Sequence, residues 1–206
     1  MTNNEIDNNG YEYVDLGLPN HTLWATANVG ASKPSEPGLY FQWGDVKGYE
    51  KSQIETGDCK KNFSYEDYKW NPNGDEQTLT KYITPKGTLA LEDDAANVNM
   101  GGSWHIPSPE QIKELVDNTT SEWTTQDGVN GRLFTSKKDK SKSIFIPAVG
   151  RAWGSIIEGD ENIASIWSNY NQFLRSAKCL YFTSNYSLVD NLYSCYLGLQ
   201  VRGVIG

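Results

Sequence analysis

The chain has 206 residues, a formal net charge of −8 and a pI near 4.8. That length suits one domain with a sizeable core, and the acidity excludes a phosphate-neutralising basic face, so nucleic acid is not an expected partner. The absence of an apolar run long enough to span a bilayer excludes membrane insertion by a helix, and Cys59, Cys179 and Cys195 are too widely spaced for a disulfide framework or a zinc cluster.

Seven Trp, twelve Tyr and nineteen Gly, with few long helical periodicities, predict a β-rich, loop-rich domain. Residues 1–10 read as a flexible lead without the basic and apolar segments of a secretory signal. Strands are predicted over residues 11–18, ended by Pro19, and over 22–29, ended by Gly30. Pro34, Pro37 and Gly38 make a turn before the aromatic run at 39–43. From 45 to 86 no period persists, and the stretch reads as a long irregular excursion held down by Tyr49, Phe63, Tyr65, Tyr68, Trp70 and Tyr82.

Glu92-Asp93-Asp94 can open a short helix over 92–98, where carboxylates suit the N-terminus; three in a row without spaced partners make a poor calcium loop. Ser108-Pro109-Glu110-Gln111 is a capping box with proline at the first helical position, and Ile112, Leu115 and Val116 share a face, so a helix is predicted over 109–117. A hairpin follows, pairing 123–125 with 132–135 through Asp127-Gly128 or Asn130-Gly131. The lysine-rich run 137–142 reads as a solvated turn, and 148–159 as a glycine-spaced link.

The stretch 165–206 holds two kinds of position. Trp167, Ala177, Leu180, Phe182, Gly198 and Val201 are spaced like the inward residues and turn of short antiparallel strands. Between them stand Tyr170, Phe173, Leu174, Tyr181, Tyr186, Leu188, Leu192, Tyr193, Tyr196 and Leu197, more large side chains than one sheet face buries, so some are expected to be exposed. Together with Asn171, Arg175, Lys178 and Asp190 they are the candidate ligand-binding residues, because Tyr and Arg supply large contact area at modest entropic cost. Strand alternation must also place part of this set in the core.

Residue types there are unusual too. From 169 to 197 nearly every residue is reachable from an AAC codon by changing its adenines alone, a route that never yields Lys, Gln, Glu, Met or Trp. Those five types make up roughly a quarter of residues 1–168, yet only Gln172 and Lys178 represent them in this stretch. A hydrophobic, charge-poor C-terminus explains part of the depletion.

The order of motifs resembles the Fibrobacter succinogenes major paralogous domain. Tyr13-Val14-Asp15-Leu16-Gly17-Leu18-Pro19, Leu23-Trp24-Ala25-Thr26 with Asn28-Val29-Gly30, and Tyr40-Phe41-Gln42-Trp43-Gly44 are similar to its opening. Glu92-Asp93-Asp94-Ala95-Ala96, Gly101-Gly102-Ser103-Trp104 with Ile106-Pro107, Trp123-Thr124-Thr125, Gly128-Val129-Asn130-Gly131, Ile144-Phe145-Ile146-Pro147-Ala148 and Trp167-Ser168 continue it in register. The resemblance implies one α+β domain over 11–206 with a C-type-lectin-like fold of the formylglycine-generating-enzyme kind, short helices around twisted antiparallel sheets. It further implies a non-enzymatic protein of a phage tail or bacterial surface. Some members resemble variable proteins of diversity-generating retroelements, whose rewritten adenines fall on a C-terminal ligand-binding region, here 165–206. The family's Gly-Phe-Ser-Val-Arg-Pro-like end aligns with Gly198-Leu199-Gln200-Val201-Arg202-Gly203, without the final proline.

An enzyme reading finds little to build on. His21 and His105 are the only imidazoles, which rules out a three-His metal site, and His105 between Trp104 and Ile106 reads as a packed or hydrogen-bonded residue. Cys179 and Cys195 lack the close pairing of the formylglycine-generating oxidases. Glu36-Pro37-Gly38 lacks the asparagine that coordinates calcium in sugar-binding C-type lectins. No cofactor or metal is therefore expected. The leading expectation is a non-catalytic domain that binds a protein or glycan on another cell surface. A structural or adhesin-assembly module, and an oxidase, stand as alternatives.

Overall fold

A computed structural model describes residues 4–75 and 78–206. Its elements are β1 (Glu5–Ile6), β2 (Glu12–Asp15), β3 (Leu23–Ala25), α1 (Lys51–Thr56), β4 (Gly87–Thr88), α2 (Ala95–Met100) and α3 (Pro109–Asn118). There follow β5 (Thr119–Gln126), β6 (Val129–Ser136), β7 (Ser143–Pro147), β8 (Val149–Trp153), β9 (Ile156–Asp160), β10 (Ala164–Phe173), β11 (Ser176–Phe182), β12 (Ser187–Ser194) and β13 (Val204–Ile205). They form four antiparallel sheets, ordered β1-β2-β3-β13, β12-β11-β10-β4, β5-β6-β7 and β8-β9. Strand predominates over helix, as the composition predicts, in a loop-rich α+β or mainly β fold.

The chain's two ends meet in one sheet. Trp24 of β3 lies between Val14 and Val204, and all three are buried. The expected loose lead is instead tied down from its first described residues: Glu5 and Ile6 pair with Tyr13 and Glu12, and the Asp7 carboxylate accepts from Trp104 Nε1 at 2.6 Å. Residues 1–3 of that lead lie outside the described residues.

The strand predicted over 22–29 is shorter than expected because Arg202 takes its carbonyls. This fully buried guanidinium donates to the Ala25 and Thr26 carbonyls, to Asn28 Oδ1 and to the Phe145 carbonyl. Burial pulls its pKa down to about 9, still above neutrality, so it stays charged. Such a cation is stable only because its donors are met.

Within the 45–86 excursion one helix escaped the sequence pattern. α1 is capped by the Gln53 side chain, which accepts from Glu50 N, and by the left-handed Gly57. The aromatics do anchor the rest: Tyr68 donates to the Trp43 carbonyl at 3.0 Å, and Tyr82 packs edge-on against Trp43 and Trp70. Asp93 closes the loop by accepting from Lys81 and from Tyr82 Oη. Asp94 caps α2 through Ala96 N and Asn97 N, and its other oxygen accepts from Ile106 N. Both carboxylates are thus committed to protein partners.

α3 has the capping box expected of it, Ser108 Oγ accepting from Gln111 N and Gln111 Oε1 from Ser108 N, and it buries Ile112 and Leu115. The hairpin β5–β6 turns at Asp127-Gly128, both with positive φ, and extends beyond the predicted limits. The predicted link 148–159 is instead a hairpin, β8–β9, with Trp153 opposite Ile156. Gly150 and Gly159 have positive φ, and for that reason the strands resemble a linker by composition.

The sheet β12-β11-β10-β4 divides the core. Trp167, Ala177 and Cys179 enter one cluster with Trp43 and Trp104; Ile166, Leu180 and Phe182 enter another with Trp24, Ile112 and Phe134. Residues 198–204 thread between these layers, pairing through Gly198 with Ala152, Leu199 with Phe41, Gln200 with Ile166 and Val204 with His105. A Cβ at Gly198 would lie 2.5 Å from the Phe63 ring, so this crossing requires glycine.

Candidate ligand-binding face

All six positions expected to point inward, Trp167, Ala177, Leu180, Phe182, Gly198 and Val201, are buried. Five of the large side chains between them, Phe173, Leu174, Tyr186, Leu188 and Leu192, are 38 to 55 % exposed. Arg175 and Asp190 are exposed with them, and Tyr170, Lys178, Tyr181, Tyr193 and Tyr196 are half-buried.

Two candidates, Asn171 and Leu197, belong to the interior rather than the face. Asn171 is fully buried: its Oδ1 accepts from Gly87 N and its Nδ2 donates to the Thr84 carbonyl, so it fastens the end of the excursion to β10. It stands four residues after Trp167, on the inward parity of the strand, and register shifts flank it in the β10–β11 ladder. Leu197 is buried in the Trp43 and Trp104 cluster, where the chain turns after Ser194 toward the central crossing.

The remaining residues form three neighbouring groups. On the first, Lys178 reaches across the strands to Asp190 at 2.9 Å and lies 5.7 Å above the Tyr170 ring, opposite Leu192. A shallow groove of about 470 Å³ follows residues 188–192 along this edge strand. The second is a row of tyrosines: Tyr181 packs against Tyr186 at 5.9 Å and Tyr193 at 6.1 Å. Burial, helped by Tyr186 and Tyr193, pushes the Tyr181 phenol up to about 12, so it is neutral at physiological pH. Arg151 stacks on Tyr193 at 4.3 Å while Glu158 holds it through Nε at 2.9 Å and Nη2 at 2.6 Å.

The third group is the β10–β11 turn. Phe173, Leu174 and Arg175 project there, with the Arg175 guanidinium 4.6 Å above the ring of Tyr65 and Tyr65 edge-on to Tyr196. Tyr65, Arg151, Trp153 and Ile156 were missed by sequence reasoning. The signal for the last three was the alternation Val149-Arg151-Trp153 against Ile156-Glu158, masked by the glycines. An opening of about 410 Å³ lined by Glu36, Glu50 and Glu55 shares no residue with this face.

Burial pushes the thiols of Cys179 and Cys195 up to about 12, which leaves both protonated at neutral pH. His105 is half-buried, with Nδ1 3.1 Å from the Ser103 carbonyl. Among the described residues no three or more His, Cys, Asp or Glu side chains cluster so as to hold a metal ion, and no helix is long and apolar enough to cross a membrane. Comparison with family models, curated proteins and solved structures found no match to this chain.

Proposed function

We propose that the chain is a non-catalytic recognition domain, a C-type-lectin-like frame whose C-terminal hairpins carry an exchangeable binding face. On this reading it resembles the variable proteins of diversity-generating retroelements. It acts on a phage tail or bacterial surface, against a protein or glycan of another cell. The observation that carries this is the separation of positions within 165–206: the inward residues of β10 and β11 are fully buried, whereas the large side chains of the two turns and of edge strand β12, Phe173, Leu174, Tyr186, Leu188 and Leu192, reach solvent. Each of these half-exposed side chains forgoes roughly 1 kcal/mol of burial, so folding alone does not account for its size. All five are Phe, Leu or Tyr, types open to adenine rewriting, whereas Lys178, which is not, is anchored by Asp190. The frame assignment is supported by the pairing of the chain's two ends in one sheet and by the long excursion inserted between them.

The test is the flanking DNA. A near-copy of the segment encoding 165–203, differing only at adenines and lying beside a reverse-transcriptase gene, is expected, with AAC-type codons at the five exposed positions. Absence of both sinks the exchangeable face. One observation favours the assembly module instead: β12 is a sheet edge carrying exposed Leu188 and Leu192. Sedimentation separates the readings, since an assembly module forms an oligomer that Leu188→Ser with Leu192→Ser dissociates, and a recognition domain does not.

A further inference from the structure

The chain has four arginines, and three are matched within the fold. Arg202 holds carbonyls and Asn28, Arg132 holds the Thr183 and Ser184 carbonyls with Ser121 Oγ, and Arg151 holds Glu158. Arg175 differs. Among the described residues its guanidinium makes no hydrogen bond or ion pair, and its one recorded contact is the Tyr65 ring. Stacking fixes the side chain while leaving the edge of the fork open, so little rotamer entropy remains to be lost on binding.

With 26 carboxylates against 18 Lys and Arg, an unpaired guanidinium on an exposed turn is complementary to an acid that this fold does not provide. Its surroundings are apolar. Phe173 and Leu174 precede it in the turn. Phe63, two residues before Tyr65, pairs with Gly154 and so brings alongside the β8–β9 tip, where Trp153 and Ile156 are 52 and 56 % exposed.

Resting on the recognition reading above, we infer that this tip docks a protein segment bearing an Asp or Glu flanked by apolar side chains. Arg175 takes the carboxylate as a fork, and Phe173, Leu174, Trp153 and Ile156 cover the flanks. Phe, Leu and Ile carry no hydrogen-bonding group, so against a glycan they would strip water from hydroxyls and return nothing. Trp153 and Ile156 also lie outside 165–206. The face is then composite, with a constant rim beside the exchangeable hairpin.

Selection of a displayed library of random linear peptides on the full chain tests this. Recovered peptides are expected to share an acid between apolar residues. The synthetic form should bind at least about tenfold more weakly to Arg175→Ala, and changing the peptide's acid to its amide should cost a similar factor. Arg175→Lys should restore only part of the loss, and Trp153→Ser should weaken binding without lowering the melting temperature. No peptide above background, a consensus without acid, unchanged affinity for Arg175→Ala, or binding of arrayed glycans through these residues instead would each overturn the inference. Peptides that need Phe173 and Leu174 but neither Arg175 nor an acid would overturn it while leaving the recognition reading intact. Binding indifferent to Trp153, Ile156, Phe173, Leu174 and Arg175 alike would overturn the inference, and indifference extending to Tyr186, Leu188 and Leu192 would end the recognition reading too.

Discussion

Two buried charges set the terms at the scale of single residues. Arg202 sits where chain ends and core layers meet, and all its recorded partners are neutral oxygens. Replacing it by Met would leave Asn28 and several carbonyls unpaired in a dry site, so Arg202→Met is expected to cost about 3 kcal/mol or more in urea unfolding. Arg202→Lys should recover little of this, because an ammonium cannot reproduce the fork. Asp93 behaves differently. Burial alone would raise its pKa, but Lys81, Tyr82 and Lys69 outweigh that and hold it below the ordinary 3.8. A carboxylate depressed on folding stabilises fully above its unfolded value, and the stabilisation fades as pH falls through the folded one. Unfolding midpoints measured from neutrality downward should therefore drop below about pH 4. Lys81→Met, by weakening the depression, should make that acid loss shallower.

In the C-terminal hairpins, side-chain size no longer tells burial. Phe182 and Phe173 are the same residue type, yet one is sealed and the other half in water. Phe173→Ser, Leu188→Ser and Leu192→Ser are each expected to change unfolding free energy by no more than about 1.5 kcal/mol. Phe182→Ala and Trp167→Ala should cost about 3–5 kcal/mol, and the latter also removes one of two donors to the Phe41 carbonyl, Trp167 Nε1 at 2.8 Å, leaving Leu199 N at 3.0 Å. Chemical denaturation of the two sets checks the division, and equal losses would place the exposed group in the core after all. Alternation was enough to identify the buried set. It failed over β8–β9, where positive-φ glycines hide a hairpin inside what reads as a linker, and Asn171, on the parity of Trp167, was a candidate by residue type alone.

At the scale of the whole molecule, residues 198–204 act as the post around which separate sheets are assembled. Val201 belongs to one core cluster and Val204 to the other, with Arg202 between them. A chain ending at 200 should lose β13 and both contacts, and is expected to give a broad thermal transition without the cooperative step of the full chain. The sequence by itself determined the capped helix at Ser108, the hairpin that follows it, the β-rich composition and the inward positions from Trp167 to Val201. These depend on neighbours a few residues apart, and local chemistry suffices for them. Only the tertiary structure decided which aromatics reach solvent, that Arg151 and Trp153 rim the same face, and that Arg175 rests on Tyr65 without an acid. Those facts depend on segments far apart in the chain being brought together, Arg151 onto Tyr193 and Arg175 onto Tyr65, and on strand register shifts that no periodicity announces.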